Sequence, residues 1–206
     1  MNTKPAESVS RESAAERLPP RERILSVARD LFYERGVRSV GVDEIAEAAG
    51  TNKMTLYRHF ASKDLLVAEC LRQFGRRADA DWDRLAAAHA GDPRGELTAW
   101  LAAMTDHIVA GGGRGCALAN AAVELAEKEH PARRVVEEVK RAQRDRLVRL
   151  CRAAVLEEPE FLADELFLLL EGARVSAQSV GRDGPAARLV RMGEAIIASH
   201  TPERLK

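Results

Sequence analysis

The chain has 206 residues, 46% of them hydrophobic, with 32 Lys and Arg against 32 Asp and Glu and hence no formal net charge. That is ample material for a sizeable core, but the richest apolar run, residues 161–170, is interrupted by Asp164 and Glu165, so no stretch is long enough to cross a bilayer. The amino terminus lacks the apolar segment of a signal peptide, and Cys70, Cys116 and Cys151 form an odd set without paired spacing, so a cytoplasmic protein without a disulfide framework is expected.

Residues 1–17 are polar with alternating charge and predict a mobile arm, whose Lys4, Arg11 and Arg17 could reach a neighbouring minor groove. Pro19-Pro20 opens the first helix, where the missing amide protons have no helical partner anyway. Ile24, Ala28, Leu31 and Phe32 give its buried stripe, and Gly36 ends it.

Residues 42–50 read as a short amphipathic helix closed by Gly50, and Asn52 is a good N-cap for a second helix over residues 53–60. Successive helical residues point about 100° apart, so Val42, Ile45, Ala46 and Ala49 share one face of the first, and Leu56 and Phe60 one face of the second. Those faces should pack together. Met54, Thr55 and Arg58 then point outward, Tyr57 and His59 lie on the flanks, and Lys53 is free to project from the amino end. Ser62 can cap the following helix, which sets Lys63 beside unpaired backbone amides where a phosphate would be welcome. Residues 51–63 hold three fixed positive charges, one His and no acid. Two helices joined by a four-residue turn, with a basic outer face, predict a helix-turn-helix that reads DNA. Overall neutrality at first argues against nucleic acid, but a local basic strip still releases counterions, and near-neutrality elsewhere predicts a moderate salt dependence.

The segments Ile45-Ala-Glu-Ala-Ala-Gly50, Thr55-Leu-Tyr-Arg-His-Phe60, Ser62-Lys63 and Leu65-Leu66 resemble the amino-terminal signature of the tetracycline-repressor (TetR) family of transcriptional regulators. The resemblance covers about the first third of the chain. It implies that the helix from Asn52 to Phe60 enters the major groove, with Lys53, Met54, Thr55 and Arg58 nearest the base edges, while Tyr57, His59, Lys63 and Thr55 hold phosphates. Repression is the more common outcome in that family. Two departures stand out: Gly41 occupies the position of the usual Ser or Thr cap, and Asn52 that of a common Ser. Both are acceptable caps, though Gly41 leaves the first helix of the motif easier to fray.

Beyond the motif, a fourth helix is expected over residues 63–75, continuing loosely to 90. Asp92-Pro93 starts a fifth, with Leu97, Trp100, Leu101, Met104 and Ile108. The glycine-rich residues 111–115 form a loop without a phosphate-cradling pattern. Cys116 follows it, and of the three thiols is the best placed for redox sensing, although a small buried hydrophobe is the default reading of each. A sixth helix is expected over 116–128, a seventh from Pro131, an eighth over 161–180 and a ninth over 185–199. The expectation is an all-α chain of about nine helices: an arm (1–17), a DNA-binding domain (18–64) and an effector-binding and dimerisation domain (65–202).

The eighth helix is apolar nearly all round, so one solvated side would leave a large exposed patch. It should be buried twice, once in its own subunit and once against a second copy, with the ninth helix completing a four-helix interface. The interface residues expected are Phe161, Leu168, Gly172, Val175, Ser176, Leu189, Met192 and Ile196. A two-fold homodimer calls for a near-palindromic double-stranded operator. An effector cavity, implied mainly by the resemblance, would be lined by Trp100, Met104, His107, Asn120, Glu124 and Phe167, a mostly apolar set with a few polar groups.

No enzyme motif is present: one Glu-x-x-His at Glu127 and His130 lacks the second copy that a di-iron bundle needs, and His130 better suits a cap for the helix opened by Pro131. Neither a cofactor nor a metal is expected. The partners expected are operator DNA, a small-molecule effector and a second copy of the chain, with no membrane. The alternative is a helical ligand- or protein-binding module that merely carries a basic hairpin.

Overall fold

The computed structural model describes residues 18–110 and 114–203. The expected arm (1–17) and glycines 111–113 lie outside the described residues. Within them the chain forms nine α-helices and no strand: α1 (Pro20–Arg35), α2 (Val42–Ala48), α3 (Lys53–His59), α4 (Lys63–Ala88), α5 (Pro93–Ala110), α6 (Ala117–Glu124), α7 (Pro131–Ala153), α8 (Pro159–Ser179) and α9 (Leu189–Ser199), the last preceded by a 3-10 turn, Pro185–Arg188.

Two compact units emerge, and they do not follow a single cut near residue 64. Among the described residues, one comprises 18–73 with 121–135, the other 74–110, 114–120 and 136–203. Three helices, α4, α6 and α7, therefore begin in one unit and end in the other.

In the first unit, Pro20 starts α1 and Gly36, at φ 88°, ends it, its N–H returning to the carbonyl of Phe32. The buried side of α1 is Ile24, Leu25, Ala28 and Phe32; Leu25 takes the place expected for Leu31, which is only half-buried. With Ile45, Leu56 and Leu66 they make up a buried set in which Ile24, Ala28, Ile45, Leu56 and Leu66 are 0% exposed. Removing a Leu or Ile side chain from water contributes roughly 1.5–3 kcal/mol, enough for a handful of them to hold short helices that would not form alone.

The second unit is built on Leu97, Trp100 and Leu101 of α5, Leu147 and Cys151 of α7, and Leu162 and Leu166 of α8. Trp82 stacks on Trp100 at 5.3 Å between centroids and donates its indole N–H to Glu96 at 3.0 Å, so its polar edge is satisfied within the apolar cluster. Arg144 grips Asp164 with two bonds, 2.5 and 3.0 Å, tying α7 to α8 and holding that carboxyl below the usual carboxylate range. At Gly193 a Cβ would stand 2.7 Å from Leu101 Cδ1, so α9 approaches α5 at a point where only glycine fits.

Helix lengths depart from the expectation in instructive ways. Gly75 does not end α4, which runs unbroken to Ala88; the glycine is there because a Cβ would lie 2.8 Å from Val139 Cγ2. In contrast, α6 stops at Glu124 rather than near 128, leaving the exposed Glu127, Lys128 and Glu129 in a turn. His130 caps α7 as expected, its Nδ1 accepting the N–H of Ala132 at 3.1 Å. All three cysteines are buried and free, and burial pushes the thiols of Cys70 and Cys151 up to about 12, far from a reactive thiolate.

Candidate nucleic-acid interface

The turn between α2 and α3 is closed by backbone bonds that its sequence makes possible. Gly50, at φ 60°, donates to Glu47 O at 2.9 Å while Thr51 donates to Ala46 O at 2.9 Å, the paired closure of a Schellman motif. Asn52 then caps α3, its Oδ1 accepting the N–H of Thr55 at 2.9 Å. Gly41 provides no side-chain cap for α2; Asp43 and Glu44 in its first turn compensate through their interaction with the helix dipole. Ser62 Oγ accepts the N–H of Leu65 at 3.1 Å and so caps α4, as the sequence suggested.

With both ends fixed, the orientation of α3 follows from its two apolar residues. Leu56 is 0% exposed and Phe60 is buried, with the Arg21 guanidinium 5.2 Å from the Phe60 ring centroid. The opposite side is open: Met54 is 82% exposed, and Asn52, Lys53, Tyr57 and Arg58 are exposed with it. Thr55, His59 and Lys63 are half-buried at the margins. Lys63 stands 5.9 Å from the Phe32 ring centroid, and His59 Nε2 has no hydrogen-bond partner among the described residues. The eight residues expected to face DNA are thus brought to one helix and its flanks.

One cation behaves differently from expectation. Lys53 does not project freely; its Nζ lies 3.1 Å from Asp43 Oδ2 on α2. An exposed pair of this kind contributes little to stability, but it places an acid beside the surface that would meet phosphates. Asp43→Asn should therefore bind an arbitrary duplex about three- to tenfold more tightly at low salt, with a salt slope steeper by about one ion. Anisotropy titrations at several salt concentrations check this, and an unchanged slope would show that Asp43 does not screen Lys53.

The other predicted residues are distributed over the molecule. Trp100 is buried in the core of the second unit, and Met104 and Phe167 pack half-buried against the same cluster. His107 is exposed, and Asn120 donates its amide to the carbonyl of Arg114 at 2.6 Å. Glu124, one turn after Asn120 on α6, accepts the backbone N–H groups of Val37 and Arg38.

On α8, Phe161, Leu168 and Val175 recur every seventh residue and are 57%, 69% and 61% exposed, forming one apolar stripe. Gly172 is exposed beside it with open space around its Cα, Met192 is exposed on α9, and Ser176 and Ile196 are half-buried. Leu189, also named for the interface, is 1% exposed and belongs to the core of the second unit.

Known proteins share both halves of this arrangement. The family model for bacterial regulatory proteins of the tetR family matches residues 24–70, and the model for the tetracyclin repressor-like C-terminal domain matches residues 94–192. The transcriptional repressor KstR2 of Rhodococcus jostii is 42% identical over 74 residues, covering 36% of this chain and 34% of that protein. The transcriptional activator FasR of Mycolicibacterium smegmatis is 48% identical over 50 residues, 23% of each chain. The aligned stretch thus spans about a third or less of the length of these curated relatives. A TetR-family transcriptional regulator from Streptomyces coelicolor is similar throughout, with a TM-score of 0.83 and 28% identity over 89% of this chain and 96% of that one.

Proposed function

Because this chain belongs to the TetR family of bacterial transcriptional regulators, we propose that it works in the cytoplasm as a homodimer whose two α3 helices hold a near-palindromic operator, and that a small-molecule effector releases it. It is a DNA-binding regulator and not an enzyme. The observation that carries the proposal is the division of α3 into a buried apolar side, Leu56 with Phe60 beyond it, and an exposed side carrying Lys53, Met54, Tyr57 and Arg58. A helix stabilised only by its own packing has no use for that second side. A major groove offers base edges to Lys53, Met54, Thr55 and Arg58, and phosphates to Tyr57, His59 and Lys63.

Repression is the favoured outcome, by occupancy of a promoter site, in line with the naming of KstR2 as a repressor. Release needs no covalent chemistry. An effector that prefers the DNA-incompetent dimer by roughly 2.8 kcal/mol lowers operator occupancy about a hundredfold. Among the residues named for an effector site, Trp100, Met104 and Phe167 belong to or pack against one apolar cluster of the second unit, where an effector would have to be admitted.

Selecting bound fragments from random duplex DNA tests the proposal directly, and two variants sort the contacts. Lys63→Ala should weaken every duplex about equally, whereas Arg58→Ala should relax base preference at defined positions, each lost base contact being worth roughly 1–3 kcal/mol. Failure to enrich any sequence overturns the operator reading. Identical behaviour of the two variants overturns the assignment of roles.

A further inference from the structure

The backbone just past α1 turns two successive N–H groups toward one carboxylate. Val37 donates to Glu124 Oε2 at 2.9 Å and Arg38 donates to Glu124 Oε1 at 2.5 Å, across 87 and 86 residues of sequence. The turn is moulded to that anion: Gly36 sits at φ 88°, and a Cβ there would stand 3.0 and 3.1 Å from the two carboxylate oxygens. Two successive amides converging on one carboxylate after a positive-φ glycine make an anion-binding turn, here filled from within the protein.

Around it, the segment carrying Glu124 is fastened at several further points. Arg38 pairs with Glu127 at 3.5 Å, Arg133 donates to the carbonyl of Ala122 at 2.6 Å, and His130 Nε2 lies 3.3 Å from Asp64 Oδ1 at the start of α4. Residues 121–135 are thereby part of the unit that contains the helix-turn-helix.

Resting on the reading of α3 as the operator-binding helix, we propose that Glu124 is a positioning residue for DNA recognition: its carboxylate fixes the turn through which α1 hands the chain to α2, and so fixes where α2 and α3 are held. Among the described residues, these bonds to Glu124 are the hydrogen bonds that hold the Val37 and Arg38 amides. Without the carboxylate the two amides turn to water and the turn between α1 and α2 loosens. The angle of the α2–α3 pair to α1 is then less sharply set, although Arg23 still donates to Ala49 O at 3.1 Å. Each helix still forms, since the caps are local and the buried apolar side chains do not include Glu124. The fraction of molecules with groove-matched geometry falls, and specific affinity falls with it. Charge-driven attachment to arbitrary DNA needs no such geometry and persists.

The test compares the full chain with its Glu124→Ala and Glu124→Gln variants. Three measurements are made: affinity for a duplex selected by the wild-type protein and for an unrelated duplex, hydrogen exchange at Val37 and Arg38, and thermal melting. Glu124→Ala should lose about tenfold in selected-duplex affinity, keep unrelated-duplex affinity within about twofold, and expose both amides to exchange. Glu124→Gln should fall between, because its carbonyl can accept one N–H while its amide nitrogen faces the other. Unchanged selected-duplex affinity with lost amide protection overturns the proposal. So does a parallel fall of both affinities with Tm, the mark of a merely structural contact. A wild-type protein that enriches no sequence overturns the operator reading itself, an outcome distinct from the other two.

Discussion

Leu168→Glu should turn the dimer into a monomer and weaken operator binding by about a hundredfold or more. Phe161, Leu168 and Val175 form a regular apolar stripe left exposed on α8, and Leu168 lies at its middle. Every substitution in a two-fold interface acts twice. Each Leu removed from the contact forfeits roughly 1.5–3 kcal/mol of burial, and each carboxylate introduced must be desolvated opposite its own copy. The loss of DNA affinity is then a matter of effective concentration. A dimer that has engaged one half-site offers its second α3 to the other at high local concentration, and a monomer does not.

Sedimentation at micromolar protein together with operator titration measures both effects. A Leu168→Glu chain that remains dimeric would remove α8 from the interface. Retention of full affinity by a proven monomer would remove the half-site argument instead. Arg144 on Asp164 and Gly193 against Leu101 hold α8 and α9 from within the subunit, so the substitution at an exposed position should leave the fold of the second unit intact.

The features that could be read from sequence are those whose cause is local. Gly50 donates to a carbonyl three residues back, Asn52 and Ser62 each accept an amide three residues on, and Leu56 and Phe60 define a face through their spacing of four, so the DNA-reading hairpin is visible in a window of about twenty residues. What sequence conceals is contact between distant residues. Gly75 looks like a helix stop until Val139 is seen to need the space of its missing side chain. Glu124, a polar residue on an otherwise apolar helix, looks like pocket lining until its partners prove to be the amides of Val37 and Arg38.

Periodicity has a second blind spot, because an apolar stripe does not say which molecule covers it. Leu189 and Met192 are three residues apart on one side of a helix, yet the first closes its own core and the second is exposed. Likewise, nothing in the spacing of Asp43 and Lys53 announces that the pair will meet across the α2–α3 turn. The head was legible as a motif, while the contacts that adjust it were not.

Leu56→Ala should abolish operator recognition at physiological temperature while leaving the dimer assembled. The side chain is 0% exposed at the centre of a small core shared with Ile24, Ile45 and Leu66, and α3 is only seven residues long, far too short to persist without packing. A Leu→Ala change in such a core costs about 2–5 kcal/mol, the upper end applying where the surroundings cannot collapse into the space. That is a large share of the stability of a unit of this size, so the head should melt at lower temperature than the rest of the chain. The second unit keeps its own core on α5, α7 and α8, and with it the exposed stripe of α8. Calorimetry should accordingly show one early transition that is absent from the wild type, while sedimentation still reports a dimer. Leu56→Met, which nearly conserves volume, should cost less than about 1.5 kcal/mol and retain recognition. Met54→Ala, two residues away on the open side, should melt as the wild type does and alter only sequence preference. If Leu56→Ala instead bound the selected duplex with undiminished affinity below its first transition, the apolar anchor would not be what presents Lys53, Met54 and Arg58 to the groove, and the orientation assigned to α3 would be wrong.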